Sequence, residues 1–500
     1  MSEQSSVKEP FRNESADGAA RGLRANSLSL GAVVALGLAY MSLAPAVYFN
    51  MGFMESDANG PVMPLIFIVV TIAILPTALS FAALNRVRPS AGSALTWVRE
   101  CLGRSAGLWA GFLLSTLYVC ACAIYPAYFA IFFNPLLQYF HVNPTFATGI
   151  LGGVVATALV GWMLARNIHL SARSIALFMI FEAAFVLIFS LYTVFDQVAH
   201  KGIAHPAAPF NPHAAGAGFT GLSLAVVFGI LSIAGVDSVA PVAEEAKSPR
   251  RMIPLATILV TIGAGLFWTI SSYGFATAVP VKTVEKYVSA GLVTPVYGIA
   301  GQYIGGWKIL VPITGMTATI ASFGASVVCA SRLIYSISRS GADDSRRMGR
   351  LHVRHGIPWN AAIVALVVAL IAPILVGIWQ GDNSSSAAGW LGGVFVFFAL
   401  VAYMLVNLAN IVFHLRNARS EFSWFMNGFI PVAGIAIDGY ILYKAFFVAY
   451  LGESFQLGKS IVYLSLAWAL LGIIWAVLRS RRQGPDTEVT ARVPATVEGD

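Results

Sequence analysis

Two stretches decide how this chain folds: GLAYMSLAPAVYFNMG (residues 37–52) and FGILSIAGVDSVAPVAEEAKSPRR (residues 228–251). Each is apolar enough to lie in a bilayer, yet each carries helix breakers in mid-run. The first has Pro45 near its centre, with Ser42 before it and Ala44 and Ala46 around it; the second has Ser232, Gly235, Asp237, Ser238 and Pro241. Proline removes a helical hydrogen bond and clashes with the preceding turn, and glycine relaxes the backbone further. In lipid every backbone polar group needs an internal partner, so irregular backbone at mid-depth is tolerated only where it lines a cavity. Both stretches therefore predict interrupted helices that face a cavity.

The rest of the chain sets these two runs in a bilayer. Of its 500 residues 57% are hydrophobic and only 11% charged, against roughly 25% charged in soluble domains, and the mean hydropathy is +0.75. A membrane helix needs about 20 mostly apolar residues. With that ruler the sequence predicts an all-α polytopic membrane protein of twelve spans: 30–53, 62–84, 106–134, 146–165, 172–195, 219–243, 253–279, 307–337, 360–380, 388–414, 424–450 and 460–479. Residues 1–27 and 481–500 read as disordered polar tails, and the first 25 residues lack the apolar core of a cleavable signal peptide. Cys101, Cys120, Cys122 and Cys329 fall in or beside apolar runs without a histidine pattern and read as packing residues, not metal ligands.

The net charge of +8 invites a nucleic-acid reading, which fails because the charges sit in short loops. With the N-terminus in the cytoplasm and sides alternating, 25 of the 31 Lys and Arg residues fall on the cytoplasmic side and 5 opposite, with Lys444 inside span eleven. That asymmetry is the positive-inside rule. It predicts a multi-pass protein of the cell inner (plasma) membrane with both termini cytoplasmic, and basic loops placed to meet anionic lipid headgroups. Residues 85–105 read as a cytoplasmic turn followed by an amphipathic segment, and 280–306 as an external segment able to form a short surface helix.

Spans one and six lie five apart. Corresponding interruptions in the two halves of a chain mark the binding site of an inverted-repeat transporter. Half-helix N-termini offer free N–H groups to a carboxylate, and freed carbonyls can hold an ammonium group. The candidate substrate-binding residues are accordingly Met41, Ser42, Leu43, Ala44, Pro45 and Ala46 in span one, with Ser232, Gly235, Val236, Asp237 and Ser238 in span six.

Three further motifs carry a family resemblance. AEEAKSPRRMIP (243–254) resembles the cytoplasmic signature after the sixth helix of amino acid-polyamine-organocation (APC) family permeases. RPSAGSALTWVRECLGRSAGLWAG (88–111) resembles that family's loop between helices two and three, and SRLIYSISRSG (331–341) its eighth-helix exit. The resemblance covers roughly residues 28–480. It implies a LeuT-like fold: a ten-helix core (28–414) of five-plus-five inverted repeats (28–195 and 219–414), with broken helices one and six and two extra C-terminal helices (415–480). At the first break MSLAPAV (41–47) resembles divergent, putrescine-importer-like members more than those with a Gly-Ser-Gly break. Glu182 stands in span five where many members have lysine.

Charges inside a bilayer cost about 2.5–3.5 kcal/mol on insertion scales and mark functional sites by default. Asp237 is the candidate contact for a substrate amine, with helix capping as its structural alternative. Glu182 is the candidate carrier of a coupling proton. Asp438 and Lys444 in span eleven read as structural, while Glu244 and Glu245 are expected to pair with Lys247, Arg250 or Arg251. In span eight Thr319 and Ser322 share a helical face with Ser326 and are candidates for ion coupling; in the implied fold that helix faces the first break. Tyr118, Tyr125, Tyr403 and Asn407 are candidate gates.

These readings converge on a secondary active transporter. It moves an amino acid by alternating access, coupled to a proton or sodium ion, and needs no cofactor, metal or nucleic-acid partner. A polyamine or amino-alcohol transporter or exchanger is the alternative cargo reading, since two intramembrane acids without a basic partner suit a cation if both face the cavity. An enzyme is disfavoured because the eight histidines lie in loops or near span ends without metal-ligand spacing such as H-E-x-x-H. A non-transporting sensor is a third reading, without an attached signalling domain to support it.

Overall fold

The structure is a computed structural model that describes residues 28–165, 172–200, 202–289, 294–342, 348–349, 358–381, 383–452 and 457–482. The expected disordered tails, 1–27 and nearly all of 481–500, lie outside the described residues, as do the links 166–171 and 350–357 with three of the counted arginines. Among the described residues the chain is helical, without strands; one isolated bridge joins Leu28 to Ala246.

Eleven helical segments are long and apolar enough to cross a membrane, judged by length and composition. They coincide with the expected spans except the sixth. There the helix Gly218–Ile233 has only 16 residues, because it is cut where the sequence turns rich in Gly, Asp, Ser and Pro.

The first span is built in three pieces: α1 (Leu30–Tyr40), α2 (Leu43–Tyr48) and α3 (Asn50–Ala58). Then come α4 (Met63–Val87), the amphipathic loop helix α5 (Ala94–Leu102), α6 (Arg104–Tyr139), α7 (Phe146–Ala165) and α8 (Ala172–His200). The second part runs α9 (Gly218–Ile233), α10 (Pro249–Ala278), α11 (Val281–Ser289), α12 (Pro295–Tyr303), α13 (Leu310–Ile337), α14 (Trp359–Trp379) and α15 (Ser384–Arg416). The last two spans centre on α16 (Ile430–Leu442), which is flanked by wide π-type turns, and α17 (Gly458–Arg482).

Both loop segments are helical in part. Residues 85–105 contain α5, whose buried Trp97 donates its indole N–H to the Arg88 carbonyl at 2.7 Å. The segment 280–306 forms two short helices, α11 and α12.

At 36 residues α6 is the axis of the fold, about 54 Å long at 1.5 Å per residue. It packs against α13, α15, α7, α14 and α17, and its middle, from Ala121 to Phe132, is continuously buried. The broken first span lies between this scaffold and α9, α10 and α8. The lipid-facing helices instead expose large apolar side chains, such as Leu177, Ile188 and Phe195 on α8 and Leu375 and Ile378 on α14. In water such a surface would aggregate; against hydrocarbon it matches its solvent.

Candidate functional site

The first break lies three residues before the proline expected to cause it. Ser42 takes a left-handed conformation (φ 57°, ψ 69°), which costs a residue with a Cβ roughly 1–3 kcal/mol and clusters at functional sites. Pro45 then sits in the first turn of α2, where the N–H it lacks has no intrahelical acceptor. The buried Trp268 indole on α10 donates to the Leu43 carbonyl at 3.0 Å and fixes the start of α2.

The second break opens at Ala234, which turns to extended geometry after α9. Residues 234–239 are irregular, and the chain resumes as a tight 3-10 turn over Ala240–Glu245. Gly235 brings the two breaks together: a Cβ built there would lie 2.8 Å from Tyr40 Cδ1 and 3.1 Å from Met41 Cγ.

A cavity of about 30 Å³ lies at this meeting point. Tyr40, Met41, Ser42, Ala46 and Asn50 line it from the first span, and Leu231, Ser232 and Ala234 from the second break. Ala121, Ile124, Tyr125 and Tyr128 of α6 and Phe395 of α15 close it. Its volume holds water only, so the breaks are closed on one another. Its lining mixes apolar side chains with hydroxyls and one amide, and among the described residues no charged side chain enters it. The Tyr40 hydroxyl, Ser42 Oγ and Asn50 Oδ1 are buried with no hydrogen-bond partner among the described residues. Buried polar atoms are almost always satisfied, so three orphans around one cavity mark a place for a polar ligand or water. Asn50 Nδ2 donates to Ser232 Oγ at 2.7 Å and to the Phe228 carbonyl at 3.3 Å, fastening α3 to α9.

Of the sequence-predicted binding residues, Met41, Ser42, Ala46 and Ser232 line this cavity. Leu43, Ala44 and Pro45 form the adjoining first turn of α2. Asp237 does not line it. It is fully buried, and both carboxylate oxygens accept hydroxyls: Oδ1 from Tyr403 at 2.6 Å and Oδ2 from Tyr118. Val236 and Ser238 flank it in the irregular segment. Two tyrosines expected as gates thus hold the acid of the second break against α6 and α15. Tyr125, the third, does line the cavity and donates to the Tyr40 carbonyl at 2.7 Å, satisfying a group freed by the first break.

The other candidates lie apart from the cavity lining. Asn407, expected as a gate, donates its amide to Thr77 Oγ1 at 2.8 Å, and Thr77 donates to Asp438 at 2.9 Å, a buried cluster joining α4, α15 and α16. One face of α15 therefore serves two neighbours. Glu245 pairs with Arg332, and Glu244 lies 3.6 Å from Arg339 and accepts the Ala91 N–H. Arg332 lies near the end of α13 and Arg339 in the wide turn just beyond it, not in the neighbouring basic loop. With the Leu28 N–H donating to the Glu245 carbonyl at 3.0 Å, they form a latch below the second break. Thr319 and Ser322 donate back to Gly315 and Ala318 on their own helix. Glu182 is buried on α8, with Oε2 unpartnered among the described residues.

Several residues escaped sequence reading. Tyr40, Asn50 and Tyr128 lie within apolar runs that gave no reason to single them out. Glu55 on α3 is fully buried with neither carboxylate oxygen hydrogen-bonded among the described residues; an acid so close after span one was the available signal. Above the cavity Phe49, Phe53, Tyr128 and Phe228 form an aromatic layer, with Phe53 stacked on Phe228 at 4.4 Å and Phe49 4.8 Å from Tyr128. Beyond it opens a vestibule of about 460 Å³.

Paired broken helices around a closed polar cavity, with a latch at one end and a vestibule at the other, define a multi-pass membrane transporter and not an enzyme. The chain belongs to the amino acid permease family, whose pattern it matches over residues 35–488. It is 26% identical over 457 residues to the low-affinity putrescine importer PlaP of Escherichia coli K12, covering 90% of this chain and 92% of that protein. The branched-chain amino acid permease BcaP of Lactococcus lactis is also 26% identical, over 349 residues, 66% of this chain and 73% of its own. A crystal structure of the manganese transporter of Eremococcus coleocola superposes with a TM-score of 0.56 at 14% identity, over 96% of this chain and 98% of the other, and shows the shared fold alone.

Proposed function

We propose that the protein is a proton-coupled importer of an amino acid, working by alternating access around the cavity between the two breaks. The observation that carries this reading is the lining of that cavity, where, among the described residues, both interrupted helices meet around orphaned polar atoms and no charged side chain. A zwitterion suits such a site. Its carboxylate would take the free N–H groups of Leu43 and Ala44 at the start of α2, and its ammonium group the last carbonyls of α9. The sequence argument for a cation required Asp237 and Glu182 to face the cavity, and neither lines it.

The charge asymmetry of the loops supports an orientation with both termini in the cytoplasm. The latch at Glu245 and Arg332 then closes the cytoplasmic side, and the vestibule opens outward. Glu182 would carry the proton: it is buried on α8, which packs against α1, α2 and α13, and one of its oxygens is free to hold a proton. Movement of α1–α3 with α9 against the scaffold would switch sides, the Asn50–Ser232 bond keeping the outer halves together. The ten-helix core with its five-plus-five repeat, and the two additional spans, belong to the same proposal.

A diamine is the second reading, supported by the 26% identity to the putrescine importer over most of both chains. The test is uptake into proteoliposomes of labelled neutral, acidic and basic amino acids, putrescine and ethanolamine, with and without an inward proton gradient. Gradient-stimulated uptake of a neutral amino acid is expected. Uptake of putrescine alone would replace the first reading with the second, and an unstimulated flux would remove the proton.

A further inference from the structure

The vestibule holds a feature that transport through the central cavity does not explain. Asp57, on the last turn of α3, is the one charged side chain lining it among the described residues, and it has no ion pair there. Around it stand the amides of Asn134 and Gln138 on α6 and the hydroxyls of Ser56 and Ser385. Asn134 Oδ1 and Ser56 Oγ are buried with no partner among the described residues. All these atoms can accept a hydrogen bond, and among the described residues no lysine or arginine lines the space to compete for them. The volume, about 460 Å³, admits an amino acid or a diamine, which the inner cavity in this state does not. One aromatic layer separates the two, because Phe53 lines the vestibule, Tyr128 lines the cavity, and Phe49 packs against both rings.

We propose that the vestibule is an outer binding site for organic ammonium groups, with Asp57 as the counter-ion and Asn134 and Ser56 as acceptors beside it. Its role is to concentrate the amine end of the cargo at the aromatic layer before the breaks open. A half-buried carboxylate without a cation is an incomplete pair, and a charge-assisted N–H···O bond to an ammonium group completes it. An outward site of this sign also raises the local concentration of cationic or zwitterionic cargo. The proposal rests on the reading that the cargo bears an amine, but binding here needs no transport.

The test therefore reads binding alone. Ser385→Cys in the full chain, embedded in nanodiscs, gives the vestibule a thiol to react with a maleimide. Methylammonium, putrescine and L-leucine are expected to slow labelling at concentrations where sodium chloride of equal ionic strength does not. Asp57→Asn should weaken the protection by about tenfold or more, the loss of a bond to a charged partner, whereas Asp57→Glu should retain it. Equal protection by sodium would make this a site for inorganic cations and overturn the assignment. Absence of protection by every amine, or protection that persists in Asp57→Asn, would overturn it as well. Loss of uptake with protection intact would count against the proposed function and leave this site standing.

Discussion

Gly235 of the second break lies against Tyr40 of the first, so closely that a Cβ there would stand 2.8 Å from Tyr40 Cδ1 and 3.0 Å from Cε1. The two interrupted helices are locked where each loses its hydrogen-bond ladder. Gly235→Ala should force Tyr40 and Met41 aside at about 1–3 kcal/mol, the usual cost of overpacking. It should reduce uptake more than it lowers the detergent melting temperature, because Tyr40 lines the cavity; thermal shift and initial uptake rates, measured together, check this.

Asp237 carries two tyrosine hydroxyls and lies away from the cavity. Tyr403→Phe or Tyr118→Phe should each destabilise the protein by about 1–3 kcal/mol, by leaving a buried carboxylate oxygen unsatisfied. The substrate KM should stay within about twofold if Asp237 only fixes the break. A KM rise of about tenfold with unchanged stability would make Asp237 a direct substrate ligand, as the sequence alone indicated.

The contrast shows what was legible in the sequence. The apolar runs located eleven of the spans to within a few residues, because membrane depth imposes a length and a composition. The breaks were legible as paired clusters of Ser, Gly, Asp and Pro, yet the position of the first was not. Proline marks where a hydrogen bond cannot form, whereas the chain turns at Ser42, whose neighbours are held from 190 or more residues away: Tyr40 and Met41 against Gly235, and Leu43 by Trp268. Asn50 and Tyr40 were invisible because their partners, Ser232 and Tyr125, come from other helices. Glu245 was legible as an acid in need of a base, but proximity in sequence pointed to Lys247 while the fold supplied Arg332.

Arg332→Ala should open the latch. It leaves Glu245 in a site only 11% exposed, a loss of about 3 kcal/mol for breaking a buried pair. The population should shift toward the cytoplasm-open state, seen as faster thiol labelling of Cys329, which lies beside the second break and bonds the Ser238 carbonyl.

Glu182→Gln should abolish stimulation by a proton gradient while preserving exchange of internal for external cargo, because the amide mimics the protonated acid. Counterflow and gradient-driven uptake, assayed in the same vesicles, separate the two. Retained stimulation would remove Glu182 from the coupling path.

The most direct measurement is a cryo-EM structure with the transported amino acid at saturating concentration. The account predicts density between the two breaks, its carboxylate at the N–H groups of Leu43 and Ala44 and its ammonium group at the carbonyl end of α9, with Ser42, Asn50 and Ser232 in contact. Density that contacts Asp237 or Glu182 directly, or a central cavity left without cargo while uptake proceeds, would contradict it.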